Sequence, residues 1–458
     1  MYINNICLVP PDPKMIKQLK EEFKKAKAKD KKLTEIEFFV KKGLYKKKIF
    51  GLDNNVIRDP DELINREIAL MPLPKFKPRG DVNVLFLLVD FVDKPHSQTV
   101  AHFKKLLFSE GNTNYNEKSL KEYYKEVSYG AVNVTGYVSD WLRMPRPYAY
   151  YVNGNDDGTG PYPTNTQKLV EDAIEIAKQT GQIEWDKFDL NGDGKIEALS
   201  IVHAGRGAEQ TGSGSDIWSH KYQITRKMHV TNNTYALTYL TVPEDSRLGV
   251  IAHELGHLLF EWPDLYDAGP KGSMITQGLG DWCLMAGGSW NNKGDTPAYP
   301  SAWCRHGQGW STTINLINEQ ELIVKDIETN KEVFRLWTNG QDNAEYFIME
   351  NRQKVKFDKH LPGEGILIYH IDENAINNWN EDHLGVGLVQ ADGRKDLQSL
   401  FTGNQGDESD PFPGTGNNLT FGTNTRPNSK SYSNNNTGVY VKVIDGQSSR
   451  AINVKIRV

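Results

Sequence analysis

The longest apolar run in the chain, VNVLFLLVDFV from Val82 to Val92, is the feature that most restricts the fold. It is about half as long as a membrane-spanning helix requires, and Asp90 interrupts it, so it reads as a buried strand rather than a span. Helical patterns follow at Thr99–Leu107, Lys118–Val127 and Thr166–Thr180, with a second, alternating strand at Glu197–His203 and a third at Thr234–Val242. That alternation predicts a mixed sheet with helices packed on it. After Trp310 the pattern changes to short alternating runs (Glu321–Val324, Glu332–Trp337, Glu345–Glu350, Gly365–Ile371, Val439–Val443, Ala451–Val458), the mark of a β-rich unit. The expected fold class is α+β.

Upstream, Lys14–Leu33 has a helical pattern, and the Pro, Lys and Gly-rich stretch PLPKFKPRG (Pro72–Gly80) separates it from the rest. Three parts are therefore expected: a lysine-rich helical segment (1–75), a mixed α/β domain (76–312) and a β-rich carboxy-terminal domain (313–458). With 458 residues and 38% hydrophobic content, the chain can bury two or three cores. Its net charge of −5 is unevenly placed, because Asp12–Lys48 carries +8 and leaves −13 for everything else. This pattern fits a solvated helix or a segment that docks on the acidic remainder, and nucleic acid is not an expected partner. The start, MYINNICLVPPDPK, lacks the basic end and apolar core of a signal peptide. The three cysteines, Cys7, Cys283 and Cys304, make no multi-bridge scaffold, although the latter two could pair.

The chemistry concentrates in VIAHELGHLLFEWPDLYD, Val250–Asp267. His253 and His257 are four apart, so on a helix both imidazoles leave the same face one turn apart and can grip one ion. Ser246 is a suitable cap for that helix. Zinc held by two imidazoles and a third ligand keeps a fourth position for water and lowers that water's pKa to about 7. Glu254, too far round the helix to ligate easily, can take the proton and pass it to a leaving amine. Glu261, Asp264 and Asp267 all lie within reach as the third ligand. A helix continued to Glu261 would bring that residue round to the same face, whereas Pro263 turns the chain and would let Asp264 swing back.

These residues resemble the immune inhibitor A metallopeptidases, secreted bacterial zinc endopeptidases related to the metzincins. The family signature is HExxHxxGxPD followed by a tyrosine, an aspartate and a later methionine-containing turn; here the chain reads HELGHLLFEWPDLYD and GLGDWCLMAGGSW (Gly278–Trp290). Further similarity runs through LFLLVDFVD (Leu85–Asp93), EYYKEVSYG (Glu122–Gly130), DIWSHKY (Asp216–Tyr222), YFIMENRQ (Tyr346–Gln353), GILIYHID (Gly365–Asp372) and VQADGRKDL (Val389–Leu397). The resemblance implies a zincin-like catalytic domain at 76–312, a zinc endopeptidase acting on protein or peptide substrates, and a secreted protein, with a monomer assumed. It carries the family's aspartate ligand onto Asp264 through the PDLYD anchor, and its metal-site methionine floor onto Met285. The family's glycine is Phe260 here, and one residue is added before the Pro-Asp pair, which would require a larger loop between helix and ligand.

FDLNGDGKIEALS (Phe188–Ser200) offers Asp189, Asn191 and Asp193 as oxygen ligands around the Gly194 turn, with Glu197 at the ninth position, the first half of a calcium loop. Acids at Asp392, Asp396, Asp407 and Asp410 are a weaker candidate for the same ion. Cys7 precedes the basic segment, and a thiolate is an excellent zinc ligand, so it could occupy the open metal position and keep the enzyme latent. Family members are commonly made with an amino-terminal propeptide, which residues 1–75 resemble in position. A cleft-edge strand near Asp216–Tyr222 or Thr234–Val242 would pair with extended substrate, and His220 or Tyr266 could stabilise the oxyanion. Two other functions compete: a zinc hydrolase of a non-protein amide such as peptidoglycan, and an inactive surface-binding module. The intact His253, Glu254 and His257 argue against the latter.

Overall fold

The Val82–Val92 run supplies an inner strand of a six-stranded sheet. The computed structural model describes residues 7–42, 76–266, 276–375, 378, 380–399, 401–445 and 449–458. Two compact units divide the chain, the first spanning residues 1–126, 130–263 and 293–295, the second 127–129, 264–292 and 296–458. The architecture is mixed α+β with several sheets. Among the described residues, no helix is long and apolar enough to cross a membrane.

In chain order the first unit contains β1 (Cys7–Leu8), α1 (Pro13–Lys29), α2 (Glu35–Lys41), β2 (Gly80–Asp90), α3 (Val100–Phe108), α4 (Leu120–Val127), β3 (Val132–Arg143) and α5 (Tyr148–Val152). It continues with α6 (Thr166–Thr180), β4 (Leu199–His203), α7 (Ala208–Thr211), β5 (His220–His229), β6 (Tyr235–Pro243) and α8 (Leu248–Phe260). The sheet order is β1-β5-β6-β4-β2-β3. From β3 through β6 the strands run parallel, β5 runs antiparallel to β6, and β1 antiparallel to β5.

Strand alternation sends Leu85, Leu87 and Val89 to one face, where they join Ile201 and the Leu169, Val170, Ala173, Ile174 and Ala177 stripe of α6 in one buried cluster. Burial of each large side chain there stabilises the fold by about 1.5–3 kcal/mol. Capping fixes where α6 begins and ends: Asn165 accepts from the Lys168 amide, and Gly181 takes a left-handed conformation at φ 64°. Phe86 points to the opposite face, where its ring meets Phe108 of α3 at 6.2 Å. Helix α8 lies against β5 and β6. Strands β3 and β5 were not predicted by periodicity.

The second unit contains α9 (Ala302–Gly307), β7 (Thr312–Asn315), β8 (Gln320–Lys325), β9 (Glu332–Leu336), β10 (Glu345–Arg352), β11 (Gly365–Asp372), β12 (Val386–Leu388), β13 (Thr420–Phe421), β14 (Tyr440–Val443) and β15 (Ala451–Arg457). They form a five-stranded sheet, β12-β11-β10-β9-β7, and a four-stranded sheet, β13-β14-β15-β8. The buried Arg352 guanidinium grips Asp358 through two contacts of 2.7 Å, and Arg305 pairs with Glu350 beside it. Four buried charges are neutralised in this way, and losing one partner would strand a buried ion at a cost of about 3–5 kcal/mol.

Candidate metal centre

Helix α8 is apolar almost throughout and buried along its whole length. It therefore holds His253, Glu254 and His257, all fully buried, on a body that cannot turn to solvent. Tyr124 of α4 donates its hydroxyl to the Ala252 carbonyl at 2.6 Å, and its ring contacts Phe260 at 5.0 Å. The amino end differs from expectation. Arg247 is the cap residue, but its side chain turns to Asp295 at 3.3 Å and does not cap the helix, while Ser246 is buried with its amide on the Pro243 carbonyl.

The carboxy end of α8 accommodates the extra residue. Glu261 adopts a left-handed conformation, φ 55° and ψ 28°, and both its amide and that of Trp262 donate to the Gly256 carbonyl. Bonds reaching back five and six residues widen the last turn, as in a π-type bulge. The expected larger loop is thus replaced by a wider helix end. Phe260, at the place where the family signature has glycine, is a buried ring packed on Tyr124 and Trp262, and the left-handed residue is Glu261. That conformation turns the chain by backbone geometry, and Glu261 is not one of the grouped metal-ligating side chains described below.

Beyond the turn, the Trp262 carbonyl accepts from Nδ1 of His257 at 2.6 Å, and His257 Nε2 lies 3.0 Å from His253 Nε2. One ligand atom each from His253, His257 and Asp264 falls within 4.8 Å of the others, and all three residues are buried. Asp264 immediately follows Pro263, so its place is set by the short continuous stretch that leaves α8. Two nitrogens bound at about 2.0–2.1 Å to one tetrahedral ion stand roughly 3.3 Å apart, close to the separation found. Two neutral imidazoles with one carboxylate form a donor set suited to zinc.

Leu265 continues the chain, with its amide on the Met285 carbonyl at 2.8 Å and its own carbonyl receiving the Leu279 amide at 2.9 Å. Any Cβ on Gly278 would meet the Leu265 carbonyl oxygen at 1.8 Å, so glycine permits this close approach. Met285 is fully buried, and its amide donates to Cys283 Sγ at 3.4 Å. Cys283 and Cys304 are both free thiols, so the pairing open from sequence is not made. Tyr266 is buried in the same stretch, and Asp267 lies outside the described residues.

His220 is part of the sheet's polar network. Its Nδ1 meets the Trp218 carbonyl at 2.7 Å, and its Nε2 meets the Thr166 and Tyr239 hydroxyls at 3.1 and 3.2 Å. Engagement of both ring nitrogens gives it an anchoring role rather than a spare donor for an oxyanion. Cys7 pairs through its backbone with Lys221, and its side chain lies outside what is described.

Asp189, Asp193 and Glu197 also bring their oxygens within 4.8 Å of one another. Asp189 accepts from the Gly192 and Gly194 amides, while Asn191 bonds Asp193 within the loop. Glu197 is 5% exposed, accepts from the Leu190 amide through Oε2, and has its Oε1 buried without a hydrogen-bond partner. Burial pushes its carboxyl up to about 7. Asp392, Asp396 and Asp407 form another such group, and the adjacent Asp410 is buried under the Trp282 indole N–H at 3.0 Å.

Residues 79–311 match the family described as immune inhibitor A peptidase M6, catalytic domain. The chain is 29% identical over 336 residues to the pre-pro-metalloprotease PrtV of Vibrio cholerae serotype O1, covering 63% of this chain and 36% of that protein. It is 32% identical over 285 residues to immune inhibitor A of Bacillus thuringiensis subsp. alesti, covering 51% of this chain and 41% of that one. The chain thus spans less than half the length of these curated relatives. With half of its own length matched by the family and the HELGH helix inside the match, this chain belongs to the immune inhibitor A peptidase M6 family.

Proposed function

We propose that the chain is a zinc-dependent endopeptidase that hydrolyses peptide bonds in proteins, with residues 76–312 as a zincin-like catalytic domain and 313–458 as a β-rich companion. The observation that carries this reading is the convergence of His253, His257 and Asp264 in a buried setting. Those three side chains would hold zinc, with Met285 as the apolar floor. Bound zinc would supply Lewis acidity, polarising a carbonyl and acidifying water. Glu254 accepts the proton of the attacking water on a carboxylate oxygen; as the C–N bond breaks, it returns that proton to the leaving nitrogen. Tyr266 is retained as an oxyanion candidate.

The test is casein turnover. Hydrolysis should disappear with a zinc chelator, return with zinc, and be lost in Glu254→Gln while that variant still binds one zinc per chain. Stoichiometric zinc with no turnover after removal of residues 1–75 would defeat the peptidase reading.

Calcium in the Asp189–Glu197 loop belongs to the same proposal, supported by the buried, unpartnered Glu197 Oε1. So does a propeptide role for residues 1–75. Its support is local: β1 extends the sheet by pairing with β5, the Val9 amide meets the Ser219 carbonyl at 3.2 Å, and the Asp12 amide meets the Glu209 carbonyl at 2.9 Å. The strand also comes within 8 Å of α8, Cα to Cα. An extended segment on that edge takes the position that a substrate strand would need. Latency would then rest on strand pairing, with or without the Cys7 thiol. One relative is named a pre-pro-metalloprotease, and by the same reading this chain acts outside the cell.

A further inference from the structure

The second unit carries a half-open cavity of about 620 Å³ bordered by β11, β12 and the loops that carry Gln390–Gln398 and Arg426–Asn434. Its volume suits a ligand the size of a small oligosaccharide. Four cations line it: Arg394, Lys395, Arg426 and Lys430. Arg394 has Asp392 at 3.4 Å, but among the described residues Lys395, Arg426 and Lys430 have no carboxylate partner. Two acids, Glu381 and Asp382, also border the cavity, leaving cations in excess. Uncompensated charges of one sign in a concave site focus their field on whatever enters.

The remaining polar wall consists of side-chain amides and a hydroxyl, including Gln390, Gln398, Asn428 and Ser431, which suit a ligand rich in hydroxyl groups. Tyr432 gives no stacking surface for a neutral sugar, because His370 covers one face at 4.0 Å and His383 stacks on it at 4.0 Å. The tyrosine is also tied down, with its amide on Glu345 at 2.6 Å and its hydroxyl on the Leu384 carbonyl at 2.9 Å. Selectivity must therefore come from charge and hydrogen bonding rather than from an aromatic platform.

The geometry points to a binding site for an anionic saccharide, one bearing sulfate or carboxylate groups, in this cavity. Arginine forks and lysine ammonium groups recognise those groups through charge-assisted hydrogen bonds. The site is separate from the zinc chemistry and stands or falls independently of it. Equilibrium dialysis of the full chain against three probes tests it: a sulfated disaccharide, a uronate-containing disaccharide and a neutral one.

Saturable binding of one molecule of either charged probe is expected, with the neutral probe not retained. Raised salt and the Lys395→Gln/Lys430→Gln double variant should each weaken binding by about tenfold. Which charged probe binds more tightly identifies the group recognised. The proposal is overturned if neither charged probe binds, if the neutral probe binds equally well, or if a glutamate-rich peptide binds more tightly than both. It is also overturned if the double variant, with an unchanged melting temperature, binds as the parent does; the lysine-rich amino-terminal segment would then be responsible.

Discussion

Nδ1 of His257 lies 2.6 Å from the carbonyl oxygen of Trp262, five residues further along the chain. A carbonyl can only accept, so the bond places the imidazole proton on Nδ1 and leaves the Nε2 lone pair facing His253. The group that aims this imidazole is thus a backbone carbonyl, presented by the turn between Glu261 and Pro263.

Loosening that turn should therefore weaken zinc binding without removing a ligand. Pro263→Gly frees the backbone next to the carbonyl, and zinc affinity should fall by about tenfold, within the range expected for losing an outer hydrogen-bond partner. Competition with a chromophoric chelator measures it. Unchanged affinity would mean that the helix alone aims His257.

Glu261 offers a second and opposite test. A non-glycine residue in the left-handed region costs about 1 kcal/mol relative to glycine, so Glu261→Gly should raise stability by roughly that amount and leave zinc content at one per chain. Chemical denaturation and metal analysis on the same samples read both. Loss of zinc would instead make Glu261 a ligand and displace Asp264.

Much of this was legible in the sequence, and the exceptions have physical causes. Helix α6 follows the predicted Thr166–Thr180 because its apolar stripe is periodic and both ends are capped by their own side chain or glycine. Strand β3 has no clear alternation, because polar residues interrupt it and Gly136 sits at its centre. There a Cβ would meet the Val84 carbonyl oxygen at 1.9 Å, so the glycine serves a close approach to β2 that no periodicity reports. Strand β5 (HKYQITRKMH) is polar in composition, and partners on both sides define it rather than its own alternation. At the candidate metal centre, spacing points to His253 and His257 and the resemblance adds Asp264, and the structure brings these three side chains together. The Trp262 carbonyl, the widened turn and the Cys283 sulfur beneath the Met285 amide were not legible, since backbone and thiol acceptors leave no pattern in a one-letter sequence.

Glu197 couples the stability of the calcium-free chain to pH through a definite sign, since burial raises its carboxyl from 4.5 to about 7. The folded chain keeps a proton that the unfolded chain releases between those values. Stability from this group is therefore present below pH 4.5 and declines as pH rises to about 7, by a few kcal/mol at most. A cation bound to the carboxylate would offset that loss. Calcium should accordingly raise the melting temperature strongly at about pH 8 and hardly at about pH 5, and Glu197→Gln should flatten the pH dependence. Equal calcium shifts at both pH values would remove Glu197 from the site.

The amino-terminal strand gives the sharpest test of latency. Val9 is fully buried, its amide is bonded to Ser219, and its carbonyl receives the Trp218 indole N–H at 2.9 Å. Val9→Asp would place a carboxylate in that apolar position, a cost of several kcal/mol if the segment stayed docked, so the segment should leave instead. If β1 blocks the substrate edge of β5, each 1.4 kcal/mol of lost docking exposes that edge about tenfold more often. Intact Val9→Asp protein should then hydrolyse casein at least about tenfold faster than the parent, without cleavage of the chain. Trp218→Phe, which deletes one hydrogen bond worth about 0.5–1.5 kcal/mol, should give a smaller rise of the same sign. Initial rates, with electrophoresis to verify chain integrity, separate the outcomes. If both variants match the parent, and removal of residues 1–75 also adds nothing, strand pairing does not restrain the enzyme and β1 is simply an edge strand of the sheet.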